Sequence, residues 1–142
     1  MNHHDPTQTV PDAARAAFDA LVASRVRQPF VWGMHDCVLF AADAVAALTG
    51  RDHAAEFRGT YHTEEQAKAV LDGMGGLQGC AALAGEPCVP LTAGPGDIGL
   101  VSDGARELLG VCTGANWMVP AKYGLAALPL RAARLAWRVA RG

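Results

Sequence analysis

Among the residues able to do chemistry, Cys37 stands apart because of its neighbours. Asp36 is a good helix N-cap, and the run from Cys37 to Thr49 stops at Gly50, a natural residue to follow a helix. A thiol at the first position of a helix receives backbone N–H dipoles that favour thiolate over thiol, which makes it a nucleophile near neutral pH. Cysteine is equally a small apolar residue often buried at such a place, and the residues alone leave both readings open. A cysteine nucleophile also needs an imidazole to hold the thiolate and protonate the leaving group, with a third polar group to orient it. Of the five histidines, His35 lies two residues before Cys37 in the same turn. His53 and His62 fall between the second and third helices and reach the thiol only if that segment folds back over it. His3 and His4 belong to residues 1–10, which are expected to be flexible. Cys37 is the candidate nucleophile, with His35 and His62 as candidate bases.

Other chemistry is less well supplied. Cys37, Cys80, Cys88 and Cys112 show no C-x-x-C spacing and no zinc-like spacing to the histidines, so neither a metal nor another cofactor is expected. Cys80, Cys88 and Cys112 read as buried thiols. Asp36 reads first as the cap of the helix and only second as an orienting acid. Trp32, Trp117 and Trp137 have apolar neighbours and read as core or interface residues rather than sugar-stacking platforms.

The elements that must position these groups follow from apolar spacing. Pro11 and Asp12 open an alanine-rich helix to about Arg25, with Phe18, Leu21 and Val22 on its inner face and its Arg and Asp residues facing out. An extended segment, Gln28 to Gly33, leads to the second helix, which is apolar almost all round, interrupted by Asp43 alone, and so belongs inside the domain. Thr63 and Gln66 form a capping box for a third helix through Leu71, and a short fourth helix is expected around Leu77, Cys80, Ala81 and Leu83. Pro87, Pro90, Gly94, Pro95 and Gly96 mark a long turn region. Short apolar runs follow at 97–101, 107–113, 117–119, 125–130 and 135–139, and these read as strands. In the tail, Arg131, Arg134, Arg138 and Arg141 would share one helix face and suit an anionic surface. Leu135, Trp137 and Val139 instead alternate as a strand, which leaves the arginines as a solvated stripe.

With 142 residues, the chain fits one domain that buries roughly two-thirds of its unfolded surface. Its net charge of −2, from 12 basic and 14 acidic residues, gives no global field to recruit nucleic acid. No secretory signal is visible at the amino end, and no apolar run is long enough for a membrane-spanning helix. Synthesis in a reducing cytoplasm with free thiols is therefore expected.

Residues Pro29 to Cys37, P-F-V-W-G-M-H-D-C, resemble the P-Y-x-W-G-G-x-x-D-C-S-G segment of the NlpC-type papain-like cell-wall peptidases. Pro95 to Leu100 resembles the G-D-L-V-F strand of that family, and Leu108 to Gly114 its H-V-G-I-Y-L-G strand. The resemblance implies an α+β fold with helices first, in which a buried central helix starting at Cys37 packs on a carboxy-terminal antiparallel sheet. It implies Cys37 as the nucleophile position, with Trp32, Gly33, Asp36 and Asp97 as structural residues near it. A second resemblance covers nearly the whole chain, to small uncharacterised proteins encoded in phage tail gene clusters. It rests on F-x-W-G-x-x-D-C at Phe30 to Cys37, A-D-A at Ala42 to Ala44, T-G-x-D at Thr49 to Asp52, R-G-x-Y at Arg58 to Tyr61, and W-R at Trp137–Arg138.

The catalytic part of the pattern departs from the peptidases. Leu108 stands where their histidine belongs, Val119 and Pro120 where the orienting polar residue belongs, Phe30 in place of a tyrosine, and Val38–Leu39 in place of Ser-Gly. The expected function is a phage tail-tip or tail-assembly component, catalytically degenerate, located in the virion and partnered by other tail proteins. The alternative is an active cysteine endopeptidase that cuts peptidoglycan stem peptides during phage genome delivery, with Cys37 as nucleophile. A thiol-dependent acyl transferase ranks third.

Overall fold

The computed structural model of the protein describes residues 11–139; residues 1–10, including His3 and His4, and Arg141 lie outside the described residues. Helix α1 (Asp12–Arg25) begins after extended Pro11, with Asp12 in its first turn and Arg25 in its last, the charge order that complements the helix dipole. Phe18 is its fully buried anchor, and Leu21 and Val22 pack beside it. Arg25 departs from the expected outward orientation and turns inward to Asp43, Nη2 to Oδ2 at 2.8 Å. Partial burial is tolerable there because the charge is paired.

Helix α2 (Cys37–Thr49) is capped by the Asp36 carboxylate, which accepts from the Leu39 N–H at 2.9 Å. It ends at Gly50, in the left-handed conformation at φ 78°, whose N–H donates to the Ala46 carbonyl. Nine of its 13 residues are buried, since α1 packs on one side and the sheet on the other. Helix α3 (Glu64–Asp72) starts at Thr63, which accepts from the Gln66 N–H, but the return bond of the capping box shifts: the His62 N–H donates to Gln66 Oε1. Helix α4 (Gly76–Ala82) buries Cys80 and Ala81, as its apolar spacing indicates, while Leu83 is exposed just beyond it.

Six strands form one antiparallel sheet: β1 (Gly85–Cys88), β2 (Ile98–Ser102), β3 (Glu107–Cys112), β4 (Asn116–Ala121), β5 (Gly124–Pro129) and β6 (Ala133–Val139), in the order β1-β6-β2-β3-β4-β5. The α+β class, helices before sheet, matches the sequence expectation. Strand β1 was not expected, because Pro87 lies inside what reads as a turn region. An edge strand can carry a proline, whose missing N–H costs nothing on the open side. Here the outermost position makes that possible, with Pro87 opposite Trp137 on β6. The tail forms a strand as expected, yet its arginines are not simply solvated. Arg134 forms a fork on the Glu107 carboxylate, and Arg138 donates to the Thr92 carbonyl at 2.8 Å.

The centre of the sheet is built around Trp117, fully buried, whose indole N–H donates to the Leu130 carbonyl at 3.0 Å. Its ring lies across Gly99 and Gly110, a cross-strand pair on β2 and β3. A Cβ on Gly99 would fall 2.8 Å from the ring. Gly99→Ala is therefore expected to cost about 1–3 kcal/mol through overpacking, read as a lower urea midpoint; a midpoint equal to the parent would mean the indole relocates freely.

Candidate functional site

The approach to Cys37 is a turn rather than a plain extended segment. Val31 pairs with His35 in an isolated bridge, and Trp32 to Met34 form the turn between them. Gly33 has φ 81°, and a Cβ there would come within 2.0 Å of the Tyr61 carbonyl oxygen, so glycine is required both by conformation and by contact. Its N–H donates to Asp36 Oδ2 at 3.0 Å, and the Tyr61 hydroxyl donates to the same oxygen at 2.6 Å. Asp36, 1 % exposed, thus ties together the turn, the start of α2 and the segment after α2. With those three donors occupying it, its part is structural. Burial, first, and the Asp36 contact, second, raise the Tyr61 phenol pKa far above its ordinary value.

Cys37 faces a cleft of about 210 Å³ between α2, α3 and the start of β3, lined at its base by Val38, Leu71, Leu77 and Leu108 and walled by Trp32 and Tyr61. Glu64, Lys68, Arg106 and Glu107 also line it. Strand β3 contributes Glu107 and Leu108 to this cleft from its first half, which pairs with β2, while Val111 and Cys112 at its other end pair with β4. Backbone N–H groups of Leu109 and Val38 lie against the sulfur and favour the thiolate, as expected at a helix start. Burial outweighs them: the thiol pKa is pushed up to about 11. Burial thus favours the protonated thiol at neutral pH, the second of the two readings that the sequence leaves open.

No histidine lines this cleft among the described residues. His35 is fully buried and bound on the α1 side, its Nδ1 3.0 Å from Arg25 Nη1. Arginine can only donate, so Nδ1 accepts and the proton resides on Nε2. That Nε2 has no hydrogen-bond partner, and the ring stands edge-on to Phe40 with centroids 5.6 Å apart. His62 is exposed beside Gly33, and His53 lines a separate small apolar pocket behind α2 with Val38 and Phe57. The two candidate bases, His35 and His62, are thus not brought into the cleft that holds Cys37.

Asp97 is structural but lies away from the cleft. It accepts from the N–H groups of Gly94 at 2.8 Å and Val139 at 3.0 Å, clamping the end of β6 onto the start of β2. Leu108 pairs instead with Val101, three residues farther along β2. Trp117 and Trp137 are core residues, whereas Trp32 is half-buried, packs edge-on to Phe30 at 4.6 Å, and forms a cleft wall. Cys80 and Cys112 are buried as expected; Cys88, on the edge strand β1, is only half-buried.

Sequence reasoning gave no role to Asp43, Asp52 and Arg58. Arg58 binds Asp43 at 2.6 Å and Asp52 at 2.7 Å, and Asp43 also receives Arg25. The hydrogen bond from Arg58 is the main cause of the lowered Asp52 pKa. This chain of charges pins the segment carrying Phe57 and Tyr61 against α2 and so builds the cleft wall. The one acid on an otherwise apolar helix, Asp43, was the available signal, since a half-buried carboxylate requires a cation.

The same cluster predicts a pH response. Burial first, and Arg25 second, hold the His35 pKa below its ordinary 6.5, against Asp43 and Asp36. Below 6.5 the unfolded chain takes up a proton that the folded chain refuses, so this contribution to stability is complete above 6.5 and declines as pH falls toward the depressed folded value. The urea midpoint is expected to drop between about pH 7.5 and about pH 5.5, and His35→Phe to flatten that slope; parallel slopes in both proteins would exclude His35 as its source.

The family model described as Domain of unknown function (DUF6950) matches residues 10–139, nearly the entire chain. No curated protein and no solved structure matches it. The chain belongs to the DUF6950 family.

Proposed function

We propose that this protein is an NlpC-type papain-like module whose peptidase machinery is lost, serving as an assembly or binding component of a phage tail tip. The supporting observation is the cleft itself: Cys37 occupies the start of a buried helix facing β3, and Leu108 lines the same cleft at the position where the resemblance puts histidine. A thiol with a pKa near 11 and no imidazole in its cleft lacks both the charge and the proton relay for peptide cleavage. The motifs shared with the phage tail gene-cluster proteins also acquire a common purpose in this reading. Asp43, Asp52, Arg58 and Tyr61 come from three of them and together hold the cleft wall in place.

The reading is tested in purified phage particles. The protein should copurify with tail-hub proteins, and Cys37→Ala should assemble normally and retain infectivity. A monomer absent from particles would remove the tail assignment. Release of peptidoglycan stem-peptide fragments by the parent protein, abolished in Cys37→Ala, would instead establish the active peptidase.

A further inference from the structure

Seven large apolar residues are strongly exposed among the described residues, and Val26, Val31, Met34 and Tyr123 belong to one end of the molecule. Met34 is 70 % and Tyr123 83 % exposed. Two backbone bonds join the segments that carry them: the Leu125 N–H donates to the Val26 carbonyl at 3.1 Å, and the Phe30 N–H to the Ala121 carbonyl at 2.9 Å. Gly124 permits this approach, because a Cβ there would meet the Val26 carbonyl oxygen at 2.1 Å. The β4–β5 hairpin tip therefore lies beside the segment that leads into the turn before α2.

The exposed charges on these two segments are both cations. Arg27 follows Val26, and Lys122 precedes Tyr123 with its ammonium 5.4 Å from the ring centroid. No acid occurs between Asp19 and Asp36, none follows Glu107, and Asp36 is buried in its own hydrogen bonds. These two segments thus carry Arg27 and Lys122 and no acid besides buried Asp36, in a chain of net charge −2; the acid of another element that comes near is Glu64, which lines the cleft with Trp32.

We propose that this pole docks on an anionic lipid bilayer surface, with Met34, Tyr123, Val26 and Val31 entering the headgroup region while Arg27 and Lys122 meet lipid phosphates. Apolar side chains on protruding turns enter a fluid interface without needing a matching concave partner. Tyrosine next to lysine suits the headgroup boundary, and paired basic residues respond to anionic lipid. A second copy of this chain is disfavoured as occupant, since a two-fold contact would bring like charges together. Docking of this kind is superficial: no helix among the described residues is long and apolar enough to cross a membrane. The inference is independent of the tail-tip reading.

The test is cosedimentation of the full chain with vesicles of phosphatidylcholine alone and of phosphatidylcholine with phosphatidylglycerol in equal parts. Binding is expected to the anionic vesicles, weakening as salt screens the cations. Met34→Asp with Tyr123→Ser, and separately Arg27→Glu with Lys122→Glu, should each lower partitioning about tenfold, with unchanged thermal melts showing that the exposed substitutions leave the fold intact. Absence of binding to anionic vesicles, or parent-level binding by both folded variants, overturns the proposal. If vesicle binding is absent and the variants fail to incorporate into particles, the pole is a protein contact and the proposal is likewise overturned.

Discussion

Leu108→His is expected to raise the alkylation rate of Cys37 at neutral pH by about a hundredfold or more. With a pKa of about 11, only about one thiol in ten thousand is ionised at pH 7. An imidazole introduced at residue 108 would enter the cleft that Cys37 faces and supply the base that the site lacks, in addition to the cations Lys68 and Arg106 already lining it. Access to the sulfur is limited by the same walls in both proteins, so the ratio of rates reports ionisation. Mass spectrometry after iodoacetamide treatment resolves the four cysteines separately, and Cys80 acts as the internal control because its burial is unaltered. A rate within threefold of the parent, in a variant that melts normally, would mean that residue 108 does not address the sulfur.

The second large effect falls on stability. Asp36→Ala removes the acceptor for the Gly33 and Leu39 N–H groups and for the Tyr61 hydroxyl in a site that is 1 % exposed. Unmet buried donors cost more than the mean net value of a hydrogen bond, and the loss should reach about 3–5 kcal/mol by urea denaturation. Asp36→Asn keeps a carbonyl oxygen for the cap and should cost less than Asp36→Ala. A loss below about 1 kcal/mol for Asp36→Ala would show that water or a relaxed turn replaces the carboxylate. Because the Trp32 and Tyr61 walls depend on Asp36, the destabilised variant is also expected to expose Cys37 to alkylation.

Much of the architecture is legible in the sequence because local signals agree with the packing. Asp36 and Gly50 bound α2 by cap chemistry at both ends, and its uninterrupted apolar composition matches its position between α1 and the sheet. The carboxy-terminal strands declare themselves through alternation and turn residues. Strand β1 does not, because Pro87 and the neighbouring prolines outweigh a four-residue strand in any local reading. The site was half legible. Sequence singles out Cys37 by its cap and its helix, but a helix-terminal cysteine predicts a lowered pKa, and burial in the folded cleft reverses it. The cleft wall was hidden for a different reason: Arg25, Asp43, Asp52 and Arg58 are scattered along the chain, and ion pairs across such separations leave no periodic trace.

The central claim, that Cys37 is a resting thiol in a cleft without a base, is tested most directly by the pH dependence of its alkylation in the parent protein. The rate should keep rising through alkaline pH toward an apparent pKa near 11 while the protein remains folded. A rate that has already reached its plateau by neutral pH would mean that an ionised thiolate exists in the cleft, and the protein would have to be read as a working nucleophile.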